Sequence, residues 1–292
     1  MHSKTFALIA AVLCVNVAAQ AKDFSGARAL EFTSKAVSFG ERPPNSPAIH
    51  KLQAYIMGQL KLRGCEVFED KFTASAPQGP VPMMNIIAKF PGKSGKAIAI
   101  SGHYDTKTIP KFVGANDGGS STGFLLEMAE ALQGTPRKDD VYLVFFDGEE
   151  AYGEWTDTNS LYGSRHLADK WAAEGILGRM KALINVDMIG DKDLGLVWNS
   201  GSAGSIQRLV WDTAERLGFS HNFLHDGGVT GDDHVPFIQK GVKALDLIDF
   251  SYGPESGTYW HTPQDTMDKL SAQSLQVVGT VVQAVIPELE AQ

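Results

Sequence analysis

Cysteine is nearly missing from this sequence: Cys14 and Cys65 are the whole supply in 292 residues, and Cys14 lies in a stretch expected to be removed. One remaining thiol excludes an intrachain disulfide, and with it the small cross-linked scaffolds. No Asn-x-Ser/Thr acceptor occurs, because Asn45 is followed by Ser46 and then Pro47, which suits a bacterial periplasmic or secreted protein. An excess of basic residues is also lacking. Lys and Arg number 26 against 34 Asp and Glu, a net charge of -8, which disfavours nucleic acid and anionic membrane surfaces as partners. Low-complexity tracts are absent, and 43% hydrophobic against 21% charged residues is a globular composition with a large core to bury.

What is present begins with "MHSKTFALIAAVLCVNVAAQA", in which Lys4 precedes an apolar run closed by Ala19-Gln20-Ala21. This is the pattern of an export signal, residues 1–21, cut before Lys22; the run is too short and ends too polar to span a membrane. Residues 22–292 are expected to form one catalytic domain, exported to the periplasm or beyond and monomeric.

Helical spacing covers Phe24 to Phe39 and Ser46 to Arg63, with Leu52, Ile56 and Leu60 recurring every fourth position. "CEVFEDKF", "MNIIAKF" and "KAIAISG" then have the composition of strands. Further on, expected helices at Thr122–Leu132, Leu161–Ala173, Ile206–Leu217 and Ser271–Leu289 alternate with strands at Val141–Phe146, Leu183–Met188 and Lys243–Ile248. The alternation predicts an α/β fold, a single three-layer domain whose mixed, mostly parallel central sheet is flanked by helices. Ligands of such sheets bind beyond the carboxyl ends of the strands.

The polar residues fall at those ends. His103, Asp117, Glu150, Asp187 and His261 are the oxygen and nitrogen ligands that zinc takes, although such a mixed set accepts several divalent ions. Each has an ordinary alternative, a turn or cap for Asp117 before Gly118-Gly119, a hydrogen-bonded polar residue for either His. Glu149 and Glu150 are adjacent, and successive side chains of extended backbone leave on opposite faces, so one binds the ion and the other stays free. The expectation is Glu150 on the metal and Glu149 for proton transfer.

The segments "SGHYDTK", "GANDGGSS", "FFDGEEA", "NVDMIGD", "DDHVPF" and "WHT" resemble, in order and spacing, the zinc-dependent aminopeptidase superfamily from about Phe24 onward. Two features resemble its glutaminyl-peptide cyclotransferases (glutaminyl cyclases) more closely. One is "AYGEWTDTNSLY" after Glu150, longer than the aminopeptidase turn. The other is Asp232, where the aminopeptidases typically carry Ser in Ser-Asp-His-x-Pro-Phe.

The resemblance implies one zinc ion on Asp117, Glu150 and His261, with Glu149, Asp187 and Asp232 catalytic. It makes Trp155, Trp260, Ile248 and Tyr252 the pocket walls and leaves His103 outside the ligand set. It also implies a cis peptide bond after Asp117. If Asp232 sits against Asp187, the two carboxylates would share a proton, since both ionising at contact distance is unfavourable. The substrate would be a peptide or protein with N-terminal Gln, converted to pyroglutamate with loss of ammonia. In a two-zinc aminopeptidase His103 and Asp187 would hold the second ion; an inactive binding protein is a further alternative. The animal cyclases' cysteine pair near the site is missing here, and "DFSYGPESGTYWH" is a few residues longer.

Overall fold

A computed structural model describes residues 22–292 except 157, 229 and 256. The expected signal segment lies outside the described residues. The chain opens with α1 (Gly26–Val37) and α2 (Pro47–Lys61). Both start on a serine cap, Ser25 accepting from the Arg28 N–H and Ser46 from the Ile49 N–H, with Pro47 at the first helical position where no N–H is needed.

Six strands follow in one sheet: β1 (Glu66–Ala76), β2 (Gly79–Phe90), β3 (Ala97–His103), β4 (Asp140–Phe146), β5 (Met180–Asp187) and β6 (Ala244–Ile248), in the order β1-β2-β4-β3-β5-β6. The β1/β2 and β2/β4 pairings are antiparallel, whereas β4/β3, β3/β5 and β5/β6 are parallel. The expected mixed sheet is therefore present, and the four parallel strands all deliver their carboxyl ends to the same edge.

Strand β4 shows why the fold has three layers. Val141, Leu143 and Phe145 join the core under α1, α2, α3 (Gly119–Leu132), α5 (Gly204–Arg216) and α7 (Ala272–Ala291). Tyr142, Val144 and Phe146 point the other way, into the core beneath α4 (Tyr162–Ala173) and α6 (Val235–Gln239). A strand buried on both faces needs apolar residues at every position, and "VYLVFF" supplies them. All the expected helices and strands are present; the short α6, whose single turn has too little periodicity to register, was not expected.

Helices α1 and α3 cross so closely that only glycine fits at 123. A Cβ there would lie 2.0 Å from Thr33 Oγ1 and 2.4 Å from the Ala29 carbonyl oxygen. Two of the three nearest atoms, the Ala29 carbonyl oxygen and the Thr33 nitrogen, are backbone and cannot rotate away, so Gly123→Ala is expected to destabilise the domain by about 1–3 kcal/mol, read as a lowered midpoint in urea unfolding. An unchanged midpoint would contradict the close crossing.

Candidate active site

At the end of β4 the buried strand breaks into Asp147-Gly148-Glu149-Glu150, and the break is held by another acid. Asp105, two residues past β3, accepts the Glu149 N–H on Oδ1 at 3.1 Å and the Glu150 N–H on Oδ2 at 3.4 Å. Asp147 faces away, accepting the Met84 N–H at 2.9 Å, and Gly148 turns at φ 69°. With both backbone amides tied to one carboxylate, the two glutamate side chains diverge. Glu150 meets His261, and Glu149 turns toward Asp232 and Asp233.

The imidazole Nε2 of His261 stands 3.3 Å from Asp117 Oδ2 and 3.2 Å from Glu150 Oε2. Both Glu150 oxygens and Asp117 Oδ2 are buried and lack a well-aligned hydrogen bond. Buried acceptors converging on one point fit a divalent cation. A second group shares Asp117: His103 Nε2 is 3.2 Å from Asp117 Oδ1 and 3.1 Å from Asp187 Oδ1. Within each group the potential ligand atoms all lie within 4.8 Å of one another. His103 is therefore against the site, and the five sequence-predicted ligands do come together.

Burial opposes the His261 imidazolium, yet Asp117 and Glu150 raise its pKa to about 9. A cation would have to displace that proton. Two ligand-bearing segments have unusual backbone: His261 at φ 54° and Met188, next to Asp187, at φ 47°. Such left-handed conformations in residues with a Cβ persist only where surrounding structure enforces them.

Glu149 is held well above the ordinary carboxylate range, first by burial, with Asp232 and Glu150 adding to it against the opposing charge of His103. Asp232 is raised likewise, by burial and then by Asp246 and Asp187. Asp187 is thus close enough to Asp232 to act on its charge. Asp187 also stands 3.1 Å from His103 Nε2, while Asp232 accepts Asn185 Nδ2 at 2.9 Å. The same Asn185 Nδ2 reaches Asp246 Oδ1 at 3.2 Å, and Asn199 Nδ2 reaches Asp246 Oδ2 at 3.3 Å. Asp246 sits mid-strand in the apolar "ALDLI" and was missed, since nothing in an isolated strand shows that its side chain meets two amides. Asp233 and His234 are fully buried beside Asp232; burial lowers the His234 pKa to about 4.

Further corrections concern the pocket. No peptide bond is cis among the described residues, so the turn after Asp117 is made by Gly118 at φ 77° with a trans bond. A Cβ at 118 would lie 2.4 Å from the Asp105 carbonyl oxygen, which explains the glycine. Tyr252 is fully buried and donates its hydroxyl to Asp265 Oδ1 at 2.6 Å, so it does not line the cleft. The cleft, about 620 Å³, is lined by Trp155, Trp260, Ile248, Phe250 and Thr230 around Glu149, Glu150, Asp187, Asp232 and His261. Trp155 and Trp260 remain 43% and 39% exposed, which places indoles at the mouth of an acidic pocket. Lys107 also lines it, with Nζ 3.7 Å from Glu150 Oε2.

Asp246 has a raised pKa, so between the ordinary aspartate value and that higher one the folded state holds a proton that the unfolded state releases. Stability then falls as pH rises across the interval. Asp246→Asn removes that proton uptake, and its unfolding free energy, with metal chelated, should decline less between about pH 5 and about pH 8 than that of the unaltered protein. Equal declines would show Asp246 to be ionised in the fold.

The family model of peptidase family M28 matches residues 85–286. The glutaminyl-peptide cyclotransferase of Bos taurus is 31% identical over 287 residues, covering 85% of this chain and 78% of that protein. The crystal structure of Acidobacteriales bacterium glutaminyl cyclase matches with a TM-score of 0.89 at 37% identity, over 98% of this chain and 99% of that one. A Zn-dependent exopeptidase from Parabacteroides distasonis matches at 27% identity with a TM-score of 0.82, over 91% and 99%. The chain belongs to peptidase family M28 and, within it, to the glutaminyl-peptide cyclotransferases.

Proposed function

We propose that the chain carries out its family's reaction on exported or extracellular peptides headed by Gln, using one zinc ion held by Asp117, Glu150 and His261. The observation that carries this reading is the placement of Glu149 and Asp232, both buried carboxyls with raised pKa, in one cleft with that ligand group. The domain would be residues 22–292, following a cleaved leader; among the described residues no helix is long and apolar enough to cross a membrane.

In the reaction the α-amine attacks its own side-chain amide carbon, a C–N bond forms, the C–NH2 bond breaks and ammonia departs. Bound zinc supplies Lewis-acid polarisation of the γ-carbonyl oxygen. The protein's part is to fold the short aliphatic chain into ring-closing geometry, an advantage worth up to about 7–11 kcal/mol in well-oriented intramolecular reactions. Trp260 and Trp155 wall the mouth, while Ile248 lines the cleft beside the acids. Glu149 takes the proton from the attacking amine and returns it to the departing nitrogen, a role served by a carboxyl whose pKa burial brings toward working pH. Asp232, fixed by Asn185, and Asp187, fixed by His103, receive the N–H groups of the substrate, and Asp232 helps hold the Glu149 pKa up.

The His103, Asp117 and Asp187 group keeps a two-ion aminopeptidase as the specific rival, and metal count with product identity separates them. Purified protein given a Gln-headed peptide should release ammonia and hold one zinc per chain. Two tightly held zinc ions with release of free N-terminal residues would sink the cyclisation reading. Glu149→Gln should bind zinc but lose turnover by about 100-fold or more. Asp232→Ser should also slow cyclisation, and unchanged rates would remove the argument for its role.

A further inference from the structure

We infer that Asp265, four residues beyond His261, is a positioning residue that ties the two metal-binding loops together and sets the affinity of the site. The inference rests on the ligand set proposed above. Asp265 is fully buried. Its Oδ1 accepts the Asn116 N–H at 2.8 Å and its Oδ2 the Asp117 N–H at 3.1 Å, so both carboxylate oxygens are committed to the segment that carries one ligand. The backbone adds a third tie, from the Ala115 N–H to the Asp265 carbonyl oxygen at 3.4 Å.

On its own side Asp265 is joined to His261 by a short turn. The Thr262 N–H donates to the Tyr259 carbonyl at 3.2 Å and the Asp265 N–H to the Thr262 carbonyl at 3.1 Å, spanning the left-handed His261. Fixing Asp265 against residues 115–117 therefore fixes the approach of His261 Nε2 to Asp117 Oδ2, 3.3 Å apart. Tyr252 donates to Oδ1 at 2.6 Å and anchors the staple in the loop after β6, so the buried carboxylate has three donors. Removing it would leave the Asn116 and Asp117 amides buried without acceptors, and that turn could relieve the loss only by moving the ligand. Groups that orient metal ligands through one further bond set affinity in this way.

The test is zinc affinity of the chelated full-length protein, by competition with a chromophoric chelator, for Asp265→Ala, Asp265→Asn and Tyr252→Phe. His261→Ala serves as the direct-ligand reference, and near-UV circular dichroism reports folding. Asp265→Ala is expected to weaken zinc binding about 10- to 100-fold. Asp265→Asn, which keeps one acceptor, should fall between it and the unaltered protein, and Tyr252→Phe should lose less. A role confined to folding would lower the unfolding midpoint but leave the affinity of the folded variant unchanged. Folded Asp265 variants binding zinc within about threefold of the unaltered protein would overturn the inference. If Asp265→Ala does not fold, Asp265→Asn alone decides. Zinc binding undiminished in His261→Ala would overturn the ligand set and this inference with it. Loss of affinity in the Asp265 variants without cyclisation by any protein would leave the staple standing and sink only the reaction.

Discussion

The constraint on which this structure depends is the burial of many carboxylates at one end of a parallel sheet. An isolated carboxylate loses several kcal/mol of hydration when it leaves water, so each must find a donor, a proton or a cation. The protein uses the first two. Asp105 and Asp265 are satisfied by backbone amides, Asp187 by His103, and Asp232 and Asp246 by Asn185 and Asn199, with their raised pKa favouring the proton. Asp117 and Glu150 are grouped with His261 where the three could hold a cation.

The division gives each acid a separate use. Asp105 is an acceptor that shapes the Glu149-Glu150 turn, so its charge goes into geometry. Glu149, one position from Glu150, is directed by that turn toward Asp232. Arg42, fully buried, donates to the carbonyls of Gly40, Tyr104, Val113 and Gly114 and so braces the loop that leads from β3 to Asp117. Its charge also lies in the field of Asp265, Asp105 and Asp117, a fixed counter-charge behind the ligand turn. The cleft is then acidic at its floor and aromatic at its mouth, which suits a substrate with an amine head and a short apolar stem.

Much of this was legible before any coordinates. Strand β4 declared itself because "VYLVFF" is apolar at every position, and α2 because Leu52, Ile56 and Leu60 share one helical face. The ligand residues were legible for a different reason: the carboxyl ends of parallel strands share one edge, so acids and histidines just past those strands must meet. Tyr252 was misplaced because a tyrosine in a loop near a pocket has no sequence mark that distinguishes facing the cleft from facing Asp265. Asp246 and Asp265 went unnoticed for the same reason. Their partners lie at Asn185 and Asn199 in one case and at Asn116 and Asp117 in the other, far away along the chain.

By itself the sequence determined the elements, the order of layers and the chemical kind of the site, because hydrophobic period and ligand type are properties of residues and their near neighbours. The tertiary structure alone decided which carboxylate faces which partner. His103 came to stand against both Asp117 and Asp187, and the Asp117 turn was made by Gly118 and held by Asp265 with an ordinary trans bond. A hydrogen bond is satisfied or lost over a few tenths of an ångström, and that precision arises only when distant loops are packed against one another.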